Sequence, residues 1–293
     1  MTRSGFVALA GRPNAGKSTL VNAIVGNKIA IVSDRPQTTR RAIRGVRSEG
    51  DCQMVLVDLP GAQRPRDALT ARMAKRLTQE LEEADVALLV LNGEQGIGPG
   101  DRFIAASLAA APTPVIVAVN KVDRLSRAAT AEVLARAAEL EVGEELFPVS
   151  ARSGAGLPAL VDHLAARLPE GPFLFAEREI TDQPRAVLLA ELVREAVIRR
   201  TFKEIPHAVE VVVEEVERPR TGLTRVRALI WVETESQKGI LIGAHGRMIK
   251  AIGTAARREL ERELGEQVHL DLSVRVRRDW RSDDGLLDRL GIG

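Results

Sequence analysis

Short apolar runs alternate with helix-forming stretches over about the first 168 residues of the chain. The runs are apolar almost throughout, which is typical of parallel strands that are buried on both faces. We therefore expect an α/β domain with a mostly parallel sheet and helices on both of its faces. Its predicted strands are residues 6–10, 54–57, 86–91, 115–119 and 147–149, and its predicted helices are residues 68–82, 101–110, 128–140 and 157–167.

A different pattern begins where the segment LPEGP, residues 168–172, interrupts helical periodicity with two prolines and a glycine. Beyond it the residues of one run alternate strictly, with Val226 and Ala228 on one side and Arg225 and Arg227 on the other. Such alternation predicts a sheet with one solvated face. The elements predicted here are a helix at 185–202, strands at 208–216 and 224–233, a short helix, a helix at 247–264 and a strand at 268–276.

The change of pattern predicts two domains in this chain of 293 residues. We place the larger α/β domain at residues 1–170, a linker at 171–184 and a smaller α+β domain at 185–293. The order of predicted elements in the smaller domain, α-β-β-α-α-β, is the order of a type II KH domain. No internal repeat accompanies either pattern.

Composition excludes several classes of protein. Lys and Arg number 42 against 40 Asp and Glu, so nucleic-acid binding needs a local basic patch. Aromatic residues make up 3% of the chain, which argues against RNA recognition by stacking bases on a sheet. The single cysteine, Cys52, excludes an internal disulfide. Because no apolar run approaches the roughly 18 residues of a membrane-spanning helix and the start has no signal-peptide pattern, we expect a cytoplasmic protein.

A phosphate-binding loop is predicted at residues 11–18, GRPNAGKS, which match the pattern G-x-x-x-x-G-K-[ST] between a strand and a helix. Its two glycines let successive N–H groups face an anion at the positive end of the helix. Lys17 then places its charge on the β- and γ-phosphates, and the Ser18 hydroxyl is a ligand for Mg²⁺. The predicted nucleotide-binding residues here are Gly11, Asn14, Ala15, Gly16, Lys17, Ser18 and Thr19.

A predicted strand ends at Asp58 in the motif DLPG, which supplies a carboxylate for Mg²⁺ through a water molecule, and Gly61 offers a backbone N–H to the γ-phosphate. Alone, an Asp at a strand end is more often a turn or a helix cap, but the phosphate loop favours the functional interpretation. In the segment 34–41, DRPQTTRR, Thr38 and Thr39 are both candidates to contact Mg²⁺, and we predict Thr39. Lys17, Thr39 and Gly61 are the predicted catalytic residues.

The motif NKVD predicts that the base is guanine. Asp123 can accept both the ring N–H and the exocyclic amine of guanine, which adenine cannot offer. Asn120 would brace the pocket and the Lys121 side chain would cover the base plane. Ser150 and Ala151 follow the fifth predicted strand, where backbone N–H groups reach the guanine oxygen, although this pair alone is a weak signal.

Two residues bear on how water would be positioned for hydrolysis. Ala62 follows DLPG, where Ras-like enzymes carry the glutamine that orients the attacking water, so we expect slow intrinsic turnover. The side-chain carbonyl of Asn14 could ligate a monovalent cation such as K⁺, whose charge would substitute for an arginine finger. The alternative, that Asn14 only braces the loop, has equal weight.

A second glycine loop occupies residues 243–246, between a short helix and a basic one. A G-x-x-G loop between two helices is the clamp with which KH domains hold about four single-stranded nucleotides. No Asp or Glu occurs from Lys238 to Arg258, so the surroundings form a local positive patch. The predicted RNA-binding residues are Lys238, Gly243, Ala244, His245, Gly246, Arg247 and Lys250.

With GRPNAGKS, QTTR, DLPG, NKVD, SA and IGAHG in this order, nearly the whole chain resembles the Era family of bacterial GTPases. The resemblance implies GTP and GDP binding with Mg²⁺, a KH domain that binds the 3′ end of small-subunit ribosomal RNA, and a role in assembly of the 30S subunit. It also implies a monomer and leaves peripheral contact with the inner face of the membrane open. Leu59 replaces the common threonine of DTPG, and GAHG lacks a frequent lysine, which weakens the inferred phosphate contact of that loop.

Two other classes compete with this interpretation. A GTPase that assists a tRNA-modifying enzyme would resemble a chain with a catalytic cysteine near its C-terminus, and this tail has none. A signalling GTPase would use the C-terminal domain to bind protein instead of RNA.

Overall fold

The computed structural model describes residues 1–33, 38–61, 67–143 and 145–292. These residues form two compact units, one extending to Asp182 and the other made of Gln183–Ile292 together with Asp67–Leu69. Within the described ranges no helix is long and apolar enough to cross a membrane.

The first unit contains a six-stranded sheet with the spatial order β2-β3-β1-β4-β5-β6. Its strands are β1 (Arg3–Ala10), β2 (Ile43–Glu49), β3 (Cys52–Asp58), β4 (Val86–Asn92), β5 (Val115–Asn120) and β6 (Leu146–Pro148). All neighbouring strands are parallel except β2, which pairs antiparallel with β3. The helices are α1 (Lys17–Val25), α2 (Ala68–Glu83), α3 (Pro99–Ala109), α4 (Arg127–Ala138) and α5 (Leu157–Arg167).

Successive residues of the central strands are buried on opposite faces of this sheet because side chains alternate along a strand. In β4, Leu88 packs in the cluster that contains Leu20 of α1 and Leu160 of α5. Its neighbour Leu89 packs in the cluster that contains Ile104 of α3, together with residues of α4. Helices therefore cover both faces, which confirms the predicted α/β class and explains why the strands are apolar throughout.

The sequence pattern did not reveal β2. This edge strand carries Arg44, Arg47 and Glu49, so it does not form an apolar run, and only Ile43, Gly45 and Val46 are buried. An antiparallel edge strand can have one face exposed to solvent, so its sequence need not be apolar throughout. The prediction searched for continuous apolar runs, which identify strands that are buried on both faces.

The segment predicted as a linker lies along the first unit as far as Asp182. The side chain of Gln53 accepts hydrogen bonds from the N–H groups of Leu174 and Phe175, at 2.7 and 2.9 Å. Further along, the N–H of Val46 donates to the carbonyl of Ile180 at 2.9 Å. These contacts extend the ordered first unit beyond its last helix.

The second unit is a three-stranded sheet, in the order β7-β8-β9, with helices packed on it. Its elements are α6 (Arg185–Ile198), α7 (Ile205–Ala208), β7 (Glu210–Arg220), β8 (Leu223–Val232), α8 (Glu235–Ile242), α9 (Arg247–Leu264), β9 (Gln267–Val276) and α10 (Asp284–Arg289). Strand β8 is antiparallel to β7 and parallel to β9. This arrangement confirms the predicted type II KH fold, and among the described residues the sequence pattern missed the short helices α7 and α10.

Trp280 anchors the end of the second unit. Its side chain is completely buried, and its Nε1 donates a hydrogen bond to the carbonyl of Ala208 at 3.0 Å. A buried indole usually needs such a partner for its N–H. The ring is therefore not available to stack on a base.

Candidate functional site

The phosphate loop follows β1 and ends where α1 begins at Lys17. Gly16 has a φ of 96°, in the left-handed region, and a Cβ there would collide with the side-chain amide of Asn120. A Cβ on Gly11, whose φ is 154°, would collide with the carbonyl of Val90. Both positions therefore require glycine, and the loop that results directs N–H groups of the first turn of α1 toward an anion.

Lys17 is 6% exposed and extends back over the loop. Its Nζ donates hydrogen bonds to the carbonyls of Gly11 and Arg12, at 3.0 and 3.2 Å. Burial lowers the pKa of Lys17 from 10.5 to about 8, and the nearby Asp58 carboxylate offsets part of that effect. A bound phosphate would favour the charged form of Lys17. The two hydrogen bonds to loop carbonyls hold the ammonium group at the phosphate loop, where a nucleotide would bind.

Three oxygen-bearing side chains meet beside Lys17. Asp58 Oδ2 accepts from Ser18 Oγ at 2.6 Å and from Thr39 Oγ1 at 3.1 Å, and the two hydroxyl oxygens are 3.0 Å apart. Burial raises the pKa of the completely buried Asp58, while Lys17 and the two hydroxyl groups oppose the shift. Thr38 lines the same pocket, and Thr39 is the threonine that hydrogen-bonds to Asp58.

This cluster fits a small hard cation. Among the described residues, the buried Oδ1 of Asp58 has no hydrogen-bond partner. Hydroxyl and carboxylate oxygens are the ligands that Mg²⁺ prefers, and Mg²⁺ retains several waters when it binds. Ser18, Thr39 and Asp58 are therefore positioned to hold Mg²⁺, next to the pocket that Lys17 and Thr19 also line.

Gly61 follows β3 and lies against the phosphate loop. A Cβ on Gly61 would come within 2.8 Å of the backbone nitrogen of Pro13, so only glycine allows this approach. Residues 62–66, with Ala62, and residues 34–37 of the switch segment lie outside the described residues. The inference about Ala62 and water therefore stays a prediction.

Asn120 connects the phosphate loop to the base-binding loops. Its Nδ2 donates to the carbonyl of Ala15 at 3.0 Å, and its Oδ1 accepts from the N–H groups of Lys121 and Ala151 at 2.8 and 3.0 Å. Asn120 is 2% exposed, so these bonds are made away from solvent. One side chain thus sets the spacing between the loops that are predicted to bind phosphate and base.

Asp123 is exposed beside this brace, and its Oδ1 accepts a hydrogen bond from Ser150 Oγ at 2.7 Å. The hydroxyl of Ser150 thereby orients the carboxylate that is predicted to bind guanine. The N–H of Ser150 donates to the carbonyl of Ala155, and that of Ala151 donates to Asn120. In the structure both N–H groups of this loop form hydrogen bonds within the protein. Their contact with guanine stays a prediction.

Asn92 is a positioning residue that sequence reasoning missed. It ends β4 and is 1% exposed, and its Nδ2 donates to the backbone carbonyl of Asn14 at 3.1 Å. Asn14 itself has a φ of 64°, in the left-handed region. An asparagine at the carboxyl end of an otherwise apolar buried strand was the available signal.

Asp101, which sequence reasoning also missed, holds the other side of the phosphate loop. It is completely buried, and its Oδ2 lies 2.8 Å from Arg12 Nε and accepts from the N–H of Gly98 at 2.8 Å. Arg12 Nη2 donates to the carbonyl of Gly96 at 2.9 Å. The capping position of Asp101 in the first turn of α3 is visible in the sequence, but its contact with Arg12 is not.

In the second unit, the G-x-x-G loop makes a sharp turn between α8 and α9. Gly243 and Gly246 have φ values of 69° and 72°, and a Cβ on Gly243 would come within 2.8 Å of Met248 Cβ. His245 also has a positive φ, 53°, and both it and Ala244 are exposed. The loop therefore presents its backbone to solvent, as a clamp on an RNA backbone requires.

The predicted basic residues surround this loop. Arg247 begins α9, and its Nε donates to the carbonyl of Ala244 at 3.3 Å. Lys250 is exposed one turn later, whereas Lys238 of α8 lies 3.8 Å from Glu235. All seven predicted RNA-binding residues thus lie on α8, the loop or the first turn of α9.

The fold and these sites define a P-loop GTPase joined to a KH domain. Residues 6–121 match the family model described as 50S ribosome-binding GTPase, and residues 204–281 match the model of the KH domain. The chain is 47% identical to GTPase Era of Mycobacterium avium over 99% of both chains, and 45% identical to GTPase Era of Carboxydothermus hydrogenoformans over 99% of this chain and 98% of that one. The chain therefore belongs to the Era family of GTPases, and the predicted resemblance and GTP hydrolysis are confirmed.

Solved structures of similar proteins agree with this assignment. A crystal structure of Era in complex with MgGDPNP and nucleotides 1506–1542 of 16S ribosomal RNA is 35% identical, with a TM-score of 0.95 over 100% of both chains. A crystal structure of an Aquifex aeolicus Era variant bound to GDP and AlF4⁻ is 36% identical, with a TM-score of 0.94 over 100% of both chains. The chain is thus similar to these proteins in both of its units.

Proposed function

We propose that this GTPase binds the 3′ end of small-subunit ribosomal RNA through its KH domain and acts in assembly of the small ribosomal subunit. The observation that carries the proposal is the exposed G-x-x-G loop, with Arg247 and Lys250 at the start of α9. Its support for this particular RNA is the similar Era structure that contains nucleotides 1506–1542 of 16S ribosomal RNA.

The same proposal assigns Mg²⁺ to the cluster of Ser18, Thr39 and Asp58. When bound, Mg²⁺ neutralises charge on the β- and γ-phosphate oxygens. Lys17 would add a second positive charge near those oxygens, and the N–H of Gly61 would donate to the γ-phosphate. Release of the γ-phosphate would remove one of the contacts that hold Thr39 in the nucleotide-bound state, which makes the segment that contains it the switch.

We also propose that intrinsic hydrolysis is slow and that K⁺ assists it. Ala62 carries no group that can orient water. Asn14 lies in the phosphate pocket beside Lys17, so a cation ligated by its side-chain carbonyl would add positive charge close to the transferred phosphate. The alternative role for Asn14 is to brace the loop, which its backbone carbonyl already does through Asn92.

A second candidate function is binding to the large ribosomal subunit, which the family model for residues 6–121 names in its description. That model covers the nucleotide-binding part of the first unit and none of the KH unit. Since the RNA clamp lies in the second unit, the small-subunit RNA found with a full-length relative is the stronger guide.

Location and oligomeric state stay predictions. The sequence favours a cytoplasmic protein, and the family resemblance adds a monomer and leaves peripheral contact with the membrane open. Sedimentation of the purified protein, alone and with vesicles of anionic lipid, would test both.

The experiment that tests the RNA proposal is filter binding of the full-length protein to oligonucleotides from the 3′ end of 16S ribosomal RNA and to scrambled controls. Replacing both Ala244 and His245 with Asp would add two negative charges at exposed loop positions, and Asp tolerates a positive φ better than most residues. A matched control adds the same charge at Thr221 and Gln267, which are exposed and lie beside the β7–β8 turn.

We expect tight binding to the 3′-end sequence, loss of that binding in the loop variant and retention of it in the control variant. Equal affinity for the scrambled sequence, or equal loss in both variants, would overturn the proposal.

A further inference from the structure

Asn22 lies inside α1, one turn after Ser18. Asparagine is an unfavourable residue inside a helix, because its side chain competes with the backbone for hydrogen bonds. The side chain is also not needed to end the helix, since the backbone carbonyl of Asn22 accepts from the N–H of Gly26, whose φ of 79° closes α1. The contacts of the Asn22 side chain indicate what it does instead.

The side-chain amide of Asn22 binds the backbone of the segment that follows α1. Its Oδ1 accepts from the N–H groups of Ile29 and Ala30, at 3.0 and 2.9 Å, and its Nδ2 donates to the carbonyl of Ala30 at 2.7 Å. Ile29 and Ala30 are each 1% exposed. Leaving a buried N–H group without a partner is costly, so Asn22 fixes the backbone at these two residues.

Apolar packing holds the same segment in a different way. Ile29 belongs to the hydrophobic core of the first unit, and a Cβ on Gly45 of β2 would come within 2.3 Å of its Cδ1. Hydrophobic burial has no directional preference, whereas a hydrogen bond has one. Packing therefore places the side chain of Ile29, and the amide of Asn22 sets the direction in which the backbone continues after Ala30.

The next three residues form part of the lining of the nucleotide pocket. Ile31, Val32 and Ser33 line it together with residues of the phosphate loop. Ile31 is buried, whereas Val32 and Ser33 are half-buried and retain surface that a ligand can contact. We call residues 31–33 the pocket wall. Because the wall begins directly after Ala30, its position depends on the hydrogen bonds of Asn22.

The pocket wall is held differently from Thr39. Thr39 contacts Ser18 and Asp58, which belong to the cluster that is positioned to hold Mg²⁺, so its contacts are expected to depend on the γ-phosphate and the metal. The three side-chain bonds of Asn22 are made to backbone groups of the protein. They do not depend on which nucleotide is bound.

We propose that Asn22 is a positioning residue that holds the pocket wall against the nucleotide equally in the GTP and GDP states. An interaction that stabilises the substrate and the transition state equally lowers KM without raising kcat. Asn22 would therefore set the affinity for both nucleotides, whereas Thr39 would distinguish GTP from GDP.

The test compares Asn22→Ala with Gln53→Ala in the full-length protein. Gln53 is a matched control because it makes the same kind of bonds to a segment that does not line the pocket: its Oε1 accepts from the N–H groups of Leu174 and Phe175, and its Nε2 donates to the carbonyl of Phe175. Each variant loses one side-chain amide and three bonds to backbone. Urea unfolding, titration with fluorescent GDP, competition by GDPNP and steady-state GTP hydrolysis are measured for both.

We expect both variants to unfold at lower urea concentration and only Asn22→Ala to bind nucleotide more weakly. Its affinity for GDP and its affinity for GDPNP should each fall about tenfold, which corresponds to about 1.4 kcal/mol. Because intrinsic turnover is expected to be slow, KM follows nucleotide affinity, so KM for GTP should rise by the same factor while kcat stays within about twofold. Thr39→Ala should instead weaken GDPNP binding more than GDP binding.

If Asn22→Ala does not fold, Asn22→Gln replaces it, with Gln53→Asn as its control. The longer amide keeps its polar groups but displaces the backbone that it binds, so the same pattern of losses is expected. Three results would overturn the proposal: unchanged nucleotide affinity in the Asn22 variant, an equal loss of affinity in the Gln53 variant, and a loss confined to GDPNP. The first of these would show that Asn22 stabilises the fold only.

Discussion

Replacing Asp101 with Asn tests whether the buried carboxylate on α3 positions the phosphate loop. In the structure Asp101 Oδ2 contacts both Arg12 Nε and the N–H of Gly98, each at 2.8 Å. An asparagine keeps the size of the side chain and an oxygen that can still accept from Gly98, so the change removes mainly the charge that faces Arg12. The carbonyl of Arg12 in turn accepts from Lys17 Nζ, which links this pair to the lysine that is predicted to bind the phosphates.

The expected cost follows from the burial of the two partners. Removing one partner of a buried polar pair costs about 1–3 kcal/mol, because the other partner loses its compensating contact. Because the side chain of Arg12 is 25% exposed, water compensates part of the loss, so we expect Asp101→Asn to lower the free energy of unfolding by about 1–2 kcal/mol. The same change should weaken GDP binding, because the phosphate loop is less well held. A loss of about 1.4 kcal/mol in binding free energy would lower GDP affinity about tenfold.

The assay is a double-mutant cycle with Asp101→Asn, Arg12→Gln and the double variant, measured by urea unfolding and by titration with fluorescent GDP. Exposed Asp51 provides the control Asp51→Asn, which should change stability by less than about 0.5 kcal/mol. We expect a coupling of at least about 1 kcal/mol between the two single changes. Additive effects within about 0.5 kcal/mol would refute the idea that the pair acts as one brace.

Three further outcomes are expected. The variant Asp123→Asn should shift preference from guanine toward xanthine nucleotides, because the amide offers one acceptor and one donor where the carboxylate offers two acceptors. Unchanged GTP affinity would show that Asp123 does not contact the base. Turnover should rise when Na⁺ is exchanged for K⁺, and the rise should disappear in Asn14→Ala; equal rates in both salts would leave Asn14 as a brace only. Since the pKa of Lys17 is lowered to about 8 and a bound phosphate favours its charged form, binding near and above pH 8 takes up a proton; GDP affinity should fall about twofold from pH 7 to 8 and about fivefold more from pH 8 to 9, and a flat profile would contradict this.

Sequence reasoning located the strands that have a strong physical signature. The parallel strands β1, β3, β4 and β5 are apolar because both of their faces are covered, and each was predicted to within a few residues. Edge strand β2 was missed because charged residues interrupt it. Short elements such as α7 and α10 were missed because a helix of four to six residues shows less than two turns of periodicity.

The site residues also divide into those that a local sequence pattern identifies and those that it does not. Residues that touch phosphate, metal or base belong to short motifs whose spacing is set by the ligand, so Lys17 and Asp58 could be named from the sequence. Asn92 and Asp101 act on the phosphate loop from distant parts of the chain, and their contacts exist only after β4 and α3 have packed beside β1. No local pattern could indicate such partners, although both are polar residues in unusually buried positions.

Co-sedimentation with separated ribosomal subunits tests the proposed function most directly. Full-length protein loaded with GDPNP and Mg²⁺ would be centrifuged with small subunits, with large subunits, and with small subunits whose 16S ribosomal RNA has been trimmed at its 3′ end. We expect the protein to sediment with intact small subunits and to remain in the supernatant in the other two samples. Sedimentation with large subunits, or equal sedimentation with trimmed and intact small subunits, would contradict the claim that this GTPase binds the 3′ end of small-subunit ribosomal RNA.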